Sequence, residues 1–318
     1  MTKISIYYSK EFMKFSGKFP DTPERLAAIM DYIRTSDLEY TVAKPKPASR
    51  KDLERVHSAK YLDEIKNYKR INTYFPDEPV DKNTYRIASL AAGAACCAAE
   101  YAISKKRFAF AVTRPKGGHA GRDFFGGYSY INNVAVAIAK LLAAGKSRNP
   151  LIINLDAHFC NGTNNIFVDD ERVWLLSVHQ HADSVYPYTG KEKESTSRVR
   201  CYENRLWITD KEYLDKLYKV IPKVVDEVKP DIIAVGIGFN TYYKDLFFGT
   251  VTKIKEPRTY MKIGRLLDAC AKELDVPIFG VLEGGYWVED LGELAYNFLK
   301  GFCKRNEKLP DVSVEGYR

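Results

Sequence analysis

Short, unbroken apolar runs alternate with helical patterns along most of this chain. The strand-like runs lie at 4–8, 108–112, 150–154, 173–178, 231–237 and 277–282, and the helical patterns lie at 23–34, 84–104, 132–144, 210–228 and 257–274. Unbroken apolar strands separated by helices are typical of a parallel sheet that is covered on both faces. Because no proline- or serine-rich linker interrupts the pattern, it predicts a single α/β domain over residues 1–318, with a mostly parallel central sheet and helices on both faces.

The rarer polar and aromatic residues come directly after the predicted strands. They lie in the segments TRPKGGHAGRDFFGGYSYINN (113–133), LDAHFCNGT (155–163), HQHADSVYPYTG (179–190), GFNTYYKD (238–245) and EGGY (283–286). In open α/β sheets, ligands bind beyond the carboxyl ends of the strands. These segments are therefore expected to form one functional site at a single edge of the sheet.

An aspartate and a histidine stand two residues apart where the third apolar run, 150–154, ends. Residues i and i+2 of a strand point to the same side, so Asp156 and His158 are expected to converge. A carboxylate beside an imidazole suits zinc or another divalent metal. The alternative is structural: the aspartate caps the next turn and the histidine bonds to backbone.

Composition and charge exclude some classes of function. The chain has 318 residues, a net charge of +8 and six cysteines without a C-x-x-C pair, which predicts reduced thiols. Its basic residues are dispersed, so a solvated surface is favoured over a specific nucleic-acid site. The N-terminus lacks a signal-peptide pattern and no apolar run reaches about 18 residues, so we expect a cytoplasmic protein without a membrane span.

Taken in order, the loop motifs resemble those of the histone deacetylase and acetylpolyamine amidohydrolase family. The matching segments are PERL (23–26), VHS (56–58), RPKGGHA (114–120), GGYSYINNVAVA (126–137), LDAHFCNGT (155–163), YPYTG (186–190) and LEGGY (282–286). The resemblance extends over about residues 15–300 and implies the arginase–deacetylase fold. It also implies hydrolysis of an acylated amine, such as an acyl-lysine, an acylpolyamine or a related small amide.

The resemblance implies a site for one zinc ion. Asp156 and His158 match two of the family's ligands, and Asn240 stands where the family has a third, an aspartate. An asparagine offers a carbonyl oxygen but no charge, so we expect zinc to be held weakly or not at all. A structural monovalent cation is expected near Asp156 and Ser177.

The resemblance also implies roles for residues that act on the substrate. His119, paired with Asn161, matches the general base, and Tyr286 matches the donor to the oxyanion. The residues that match substrate-binding positions are Arg25, Gly127, Tyr128 and Tyr186. Each of these side chains also has a structural interpretation, as a packed core or rim residue. We interpret His57, His179 and His181 as structural.

Two more positions depart from the family pattern. Gly118 stands where the family has the first of two histidines, and Asn154 stands where it has the aspartate that supports that histidine. Together with the missing carboxylate ligand, these departures leave two functions open. The first is an amidohydrolase with an altered site, and the second is a catalytically silent relative that binds a ligand or partner in the same pocket. The oligomeric state stays open.

Overall fold

The computed structural model describes residues 3–69 and 80–303, in which eight strands form one parallel sheet. The strands are β1 (Ile4–Tyr7), β2 (Tyr40–Ala43), β3 (Ala109–Ala111), β4 (Pro150–Leu155), β5 (Trp174–Gln180), β6 (Val199–Asn204), β7 (Ile232–Ile237) and β8 (Ile278–Leu282). Their order across the sheet is β2-β1-β3-β8-β7-β4-β5-β6. Each neighbouring pair is parallel, which confirms the predicted sheet.

Helices connect the strands and cover the sheet. In the described part of the chain they are α1 (Glu24–Thr35), α2 (Arg50–Leu53), α3 (Ala59–Lys66), α4 (Thr84–Lys105), α5 (Asn133–Ala143), α6 (Asn161–Phe167), α7 (Asp210–Val228), α8 (Pro257–Glu273) and α9 (Val288–Lys300). Helices α4 and α5 pack together, and α7, α8, α9 and α1 pack in series. The six cysteines, all within the described residues, form no disulfide, as predicted.

The two edge strands, β2 and β6, were not predicted. Every residue of the central strands β3, β4, β7 and β8 is buried, whereas Thr41 and Val42 of β2 are exposed. In β6, buried Val199 and Cys201 alternate with half-buried Arg200 and Tyr202. An edge strand has one neighbour and one wet side, so it lacks the unbroken apolar run by which the central strands were recognised.

Helix α4 is a core helix of this fold. Among the described helices it is the one whose length and apolar composition would allow it to cross a membrane, but most of it is buried inside the protein. Its alanines and Gly93 permit close approach of the backbone at 46–48. A methyl group at Gly93 would lie 1.8 Å from the Lys46 carbonyl oxygen and 2.7 Å from the Ala48 nitrogen.

Most of the predicted site residues lie in the loops that follow four adjacent central strands. The strands β3, β8, β7 and β4 are neighbours in that order, and Leu155 of β4 pairs with Ile237 of β7, which in turn pairs with Leu282 of β8. The loops after β4, β7 and β8 therefore begin at the same level of the sheet. Asp156 is the first residue after β4, and Glu283 is the first residue after β8. Parallel pairing thus brings segments together that lie far apart in the sequence.

We predict that Gly93→Ala destabilises the protein. Alanine stabilises a helix relative to glycine by about 1 kcal/mol. Here, however, the alanine methyl group would collide with backbone atoms, which cannot rotate away as a flexible side chain can. The free energy of unfolding in urea should fall by about 1–3 kcal/mol, as in overpacked cores. The control is Ser104→Ala, at an exposed position of the same helix, which should change it by less than about 0.5 kcal/mol. Equal stability of Gly93→Ala and the wild type would contradict this packing.

Candidate active site

The carboxylate of Asp156 is buried in the pocket and accepts hydrogen bonds at both of its oxygens. Oδ1 accepts from the His158 backbone N–H at 2.9 Å, from its ring Nδ1 at 2.9 Å and from Asn240 Nδ2 at 2.8 Å. Oδ2 accepts from the Gly284 N–H at 2.8 Å. Four N–H groups thus surround the carboxylate, three of them at Oδ1 and one at Oδ2. Burial alone would raise the pKa of Asp156, but the hydrogen bond and Coulombic interaction with His158, the positive charge of Lys116 and the hydrogen bond from Asn240 hold it well below its ordinary value.

Asn240 presents its nitrogen, not its oxygen, to Asp156 and His158. Its Oδ1 accepts from the Ala157 N–H at 3.0 Å, while Nδ2 lies 2.8 Å from Asp156 Oδ1 and 3.1 Å from His158 Nδ1. The carbonyl oxygen that was expected to face a metal thus bonds to the backbone in this arrangement, and the role of Asn240 as a metal ligand stays a prediction. An amide nitrogen has no lone pair to donate, so these three side chains do not fit the family's three-ligand zinc site.

The predicted monovalent cation position also contains an amide nitrogen. Asn154 Nδ2 donates to the His158 carbonyl oxygen and to Ser177 Oγ, both at 3.0 Å. Ser177 Oγ lies 2.9 Å from His179 Nδ1 as well. The oxygens near Asp156 and Ser177 are thus engaged by N–H donors, and the cation stays a prediction.

His119 and Asn161 form a buried pair beside the aspartate. The His119 Nδ1 lies 2.7 Å from Asn161 Oδ1, so Nδ1 carries the proton and Nε2 has the free lone pair. Its ring lies 4.9 Å from the Tyr186 ring and 5.9 Å from that of His158. Burial, together with the positive charge of Lys116 and the Coulombic interaction with His158, lowers the pKa of His119 to about 3. The imidazole is therefore neutral across the physiological pH range.

Lys116 is a site residue that the sequence analysis missed. Its Nζ donates to the Tyr286 hydroxyl at 2.5 Å, and each residue is only 3% exposed. Burial raises the pKa of Tyr286 well above its ordinary value, so the phenol keeps its proton. A signal was present, because RPKGGHA has a lysine where the family motif quoted above, R-P-P-G-H-H-A, has a proline.

Glu283 is a second functional candidate that was missed, although it lies within the LEGGY motif. Its Oε2 accepts from the N–H groups of Gly117 and Gly118, each at 3.1 Å. Burial, reinforced by the negative charge of Asp156, raises the pKa of Glu283 to about 7. A Cβ at Gly118 would lie 3.4 Å from Glu283 Oε2 and 3.5 Å from the Cys160 Cβ. Gly118, which stands where the family has the first of two histidines, therefore faces the carboxyl group of Glu283 and the side chain of Cys160.

Aromatic side chains line the approach to the pocket. The ring of Phe248 lies 5.7 Å from Tyr128, 5.2 Å from Tyr286 and 6.4 Å from His158. No sequence pattern indicated Phe248, which adopts a positive φ of 58° in the short helical segment Phe247–Gly249. Tyr128 and Phe248 thus form an apolar wall over the buried polar groups.

Gly127 allows two ring systems to approach each other. It has a φ of +52°, and a Cβ there would lie 2.7 Å from His119 Cδ2 and 3.1 Å from Tyr186 Cε1. A side chain at this position would displace the imidazole or the phenol. The predicted substrate-binding residues Gly127, Tyr128 and Tyr186 therefore surround the same pocket as His119.

Arg25 clamps the loop that carries Tyr286. Its Nε donates to the Gly285 carbonyl oxygen at 2.5 Å, its Nη2 to that of Glu283 at 2.6 Å, and its Nη1 to Asp21 Oδ1 at 2.5 Å. The guanidinium carbon lies 4.7 Å from the centre of the Tyr286 ring. All three guanidinium nitrogens form hydrogen bonds within the protein. The geometry therefore indicates that Arg25, which was predicted to contact substrate, positions the loop of Tyr286.

Two of the three histidines that were interpreted as structural, His57 and His179, have backbone partners, whereas His181 is exposed and lies 3.8 Å from Glu203. His179 Nε2 contacts the Gly190 carbonyl oxygen at 2.9 Å, and His57 Nδ1 contacts that of Gly121 at 2.8 Å. The Asn132 N–H donates to His57 Nε2 at 3.0 Å. Both imidazoles therefore connect loops within the protein.

The fold and the pocket together define an α/β protein of the arginase–deacetylase class. The chain belongs to the histone deacetylase domain family, whose family model matches residues 19–302. It is 32% identical to a probable deacetylase of Archaeoglobus fulgidus, over 92% of this chain and 84% of the relative. It is 27% identical to acetylpolyamine amidohydrolase 1 of Pseudomonas aeruginosa, over 89% and 91% of the two chains. The predicted family is confirmed.

A solved structure shows the same fold. The acetylpolyamine aminohydrolase of Burkholderia pseudomallei superposes with a TM-score of 0.84, covering 94% of this chain and 98% of that one. The two sequences are 21% identical, so this likeness concerns the fold alone.

We predict that Arg25→Met destabilises the protein by about 3–5 kcal/mol, because it removes a buried guanidinium that pairs with the Asp21 carboxylate and binds the carbonyl oxygens of Glu283 and Gly285. Arg34→Met, on the same helix, is the control. It removes an exposed ion pair with Asp31 and should cost about 0–1 kcal/mol. Urea unfolding of both variants measures the difference. Similar losses for the two variants would contradict the clamp.

Proposed function

We propose that this protein hydrolyses the amide of a linear N-acylated amine, such as an acylpolyamine or an acyl-lysine. The observation that carries the proposal is the meeting of two polar pairs in one buried pocket, His119 with Asn161 and Tyr286 with Lys116. The first pair provides a proton acceptor and the second a proton donor. Both belong to motifs that place the chain in a family whose named members include deacetylases and amidohydrolases.

The pocket wall supports an acylated amine with an unbranched chain. Tyr128, Tyr186 and Phe248 offer ring faces on which methylene groups pack, while the polar groups lie below them. The name of the Pseudomonas aeruginosa relative specifies an acetylpolyamine as its substrate, which agrees with this shape. An unbranched methylene chain lies flat against aromatic rings more readily than a branched one, so we expect a linear amine to be preferred.

The described residues account for the proton transfers of such a hydrolysis. His119 Nε2 accepts a proton from water as the water oxygen attacks the acyl carbon. The Tyr286 hydroxyl donates to the acyl oxygen, on which negative charge develops. When the carbon–nitrogen bond breaks, the imidazolium returns its proton to the leaving amine, and the products are a carboxylic acid and a free amine. Lys116 donates to the Tyr286 oxygen, which leaves the phenolic proton free for the substrate.

A second candidate function is binding of the acylated amine without hydrolysis. The observation that favours it is the low pKa of His119, about 3, which makes the imidazole a weak base for water. The orientation of Asn240 also favours binding without hydrolysis. Its side-chain nitrogen faces Asp156, and an amide nitrogen cannot ligate a metal that would activate water. Product analysis separates the two functions.

We predict that the protein releases putrescine from N-acetylputrescine and that His119→Ala lowers the rate by about 10²–10⁴-fold, the usual contribution of a general base. Tyr286→Phe should lower it by about 10²–10³-fold, since one donor to the oxyanion is lost. The control is His181→Ala, because that imidazole is exposed and lies outside the pocket. Mass spectrometry of the amine product gives the rates.

Binding of N-acetylputrescine without release of the amine would refute the hydrolase and support the second function. A His119→Ala variant as active as the wild type would show that this imidazole does not serve as the base.

A further inference from the structure

Two asparagine amides direct N–H groups into positions where the family resemblance predicts cations. Asn240 Nδ2 approaches Asp156 Oδ1 and His158 Nδ1, the predicted zinc ligands, at 2.8 and 3.1 Å. Asn154 Nδ2 approaches Ser177 Oγ, beside the predicted monovalent cation, at 3.0 Å. An N–H group is a hydrogen-bond donor and satisfies the carboxylate and hydroxyl oxygens, Asp156 Oδ1 and Ser177 Oγ, that a cation would otherwise contact. We call the space between Asp156, His158 and Asn240 the metal position.

The backbone fixes the orientation of the Asn240 amide. The Ala157 N–H donates to its oxygen at 3.0 Å. Turning the amide over would place two N–H donors against each other at that point. It would also place the amide oxygen 2.8 Å from a carboxylate oxygen of Asp156, an acceptor against an acceptor. Both contacts oppose the orientation that a metal would require.

Lys116 supplies a positive charge to the same pocket. Its ammonium is buried and bonded to Tyr286, and its charge lowers the pKa of both Asp156 and His119. In the family pattern, two ligating carboxylates balance one zinc dication. Here one carboxylate, Asp156, is balanced by one ammonium. The change from aspartate to asparagine at position 240 and the lysine at position 116 therefore preserve the charge balance of the pocket.

We propose that the Lys116 ammonium replaces the metal as the cation of this pocket and that Asn240 closes the metal position. With Tyr286, Lys116 then binds the acyl oxygen of the substrate, a step that rests on the proposed function. The ligand class is a neutral amide carbonyl or the carboxylate product, both of which are acceptors for N–H and O–H donors. Zinc and the ammonium are like charges, so each disfavours the other in the same pocket.

Zinc retention tests the closed metal position without any measurement of activity. The wild type, Asn240→Asp, Lys116→Met and the double variant are purified without chelator, incubated with excess zinc, desalted and analysed by inductively coupled plasma mass spectrometry. The exposed Asn67→Asp serves as the matched control for the chemical change. We expect substoichiometric zinc in the wild type, Lys116→Met and the control, and stoichiometric zinc in Asn240→Asp.

The double variant tests the competition between the two positive charges. Its zinc dissociation constant, measured against a chromogenic chelator, should be about 10- to 100-fold below that of Asn240→Asp, the range typical of changes next to a metal ligand. Stoichiometric zinc in the wild type would overturn the proposal. Equal zinc affinities of Asn240→Asp and the double variant would also overturn the proposal. The wild-type measurement needs no variant, so it holds even if Lys116→Met fails to fold.

Binding of N-acetylputrescine by calorimetry in the presence of EDTA tests the role of Lys116 toward substrate. We expect the wild type to bind, Lys116→Met to bind at least about tenfold more weakly because a charged hydrogen bond is lost, and the exposed-site control Lys219→Met to bind normally. Binding that requires added zinc, or that Lys116→Met leaves unchanged, would overturn the proposal. If the wild type binds no acylated amine at all, the proposed substrate class and the role of Lys116 in holding it fail, whereas the zinc result still decides the metal position.

Discussion

The four N–H donors that converge on the Asp156 carboxylate hold the pocket together. They come from the loops after three neighbouring strands, with His158 after β4, Asn240 after β7 and Gly284 after β8. A buried carboxylate is costly unless its acceptors are satisfied, so the loops must keep these positions for the fold to be stable. The same contacts engage both oxygens of the Asp156 carboxylate with N–H donors. One set of hydrogen bonds thus fixes both the architecture and the chemistry of the pocket.

A second layer of buried charge supports this centre. Arg25 binds the backbone on both sides of Gly284 and pairs with Asp21, while Glu283 binds the backbone at Gly118. Tyr286 is therefore held from one side by Arg25 and from the other by Lys116. A phenol fixed in this way, and kept protonated by burial, is a preorganised donor to a developing negative charge. The catalytic potential of the pocket depends on this rigidity, whichever cation it contains.

The sequence predicted those parts of the structure that leave a strong local pattern. The apolar runs of β4, β7 and β8 located the strands, and the residues after them located the pocket. The half-exposed strands β2 and β6 left no such pattern. The direction of the Asn240 amide depends on one distant backbone N–H, that of Ala157, and no sequence pattern encodes that contact. Side-chain direction and long-range contacts therefore had to come from the structure.

Anomalous diffraction at the zinc absorption edge, from crystals grown with excess zinc, tests most directly whether Asn240 closes the metal position. The account predicts no anomalous peak between Asp156 and His158, with the Asn240 nitrogen in hydrogen-bond contact with the Asp156 carboxylate. A strong peak within ligand distance of Asp156 and His158, about 2.0–2.2 Å, would contradict it.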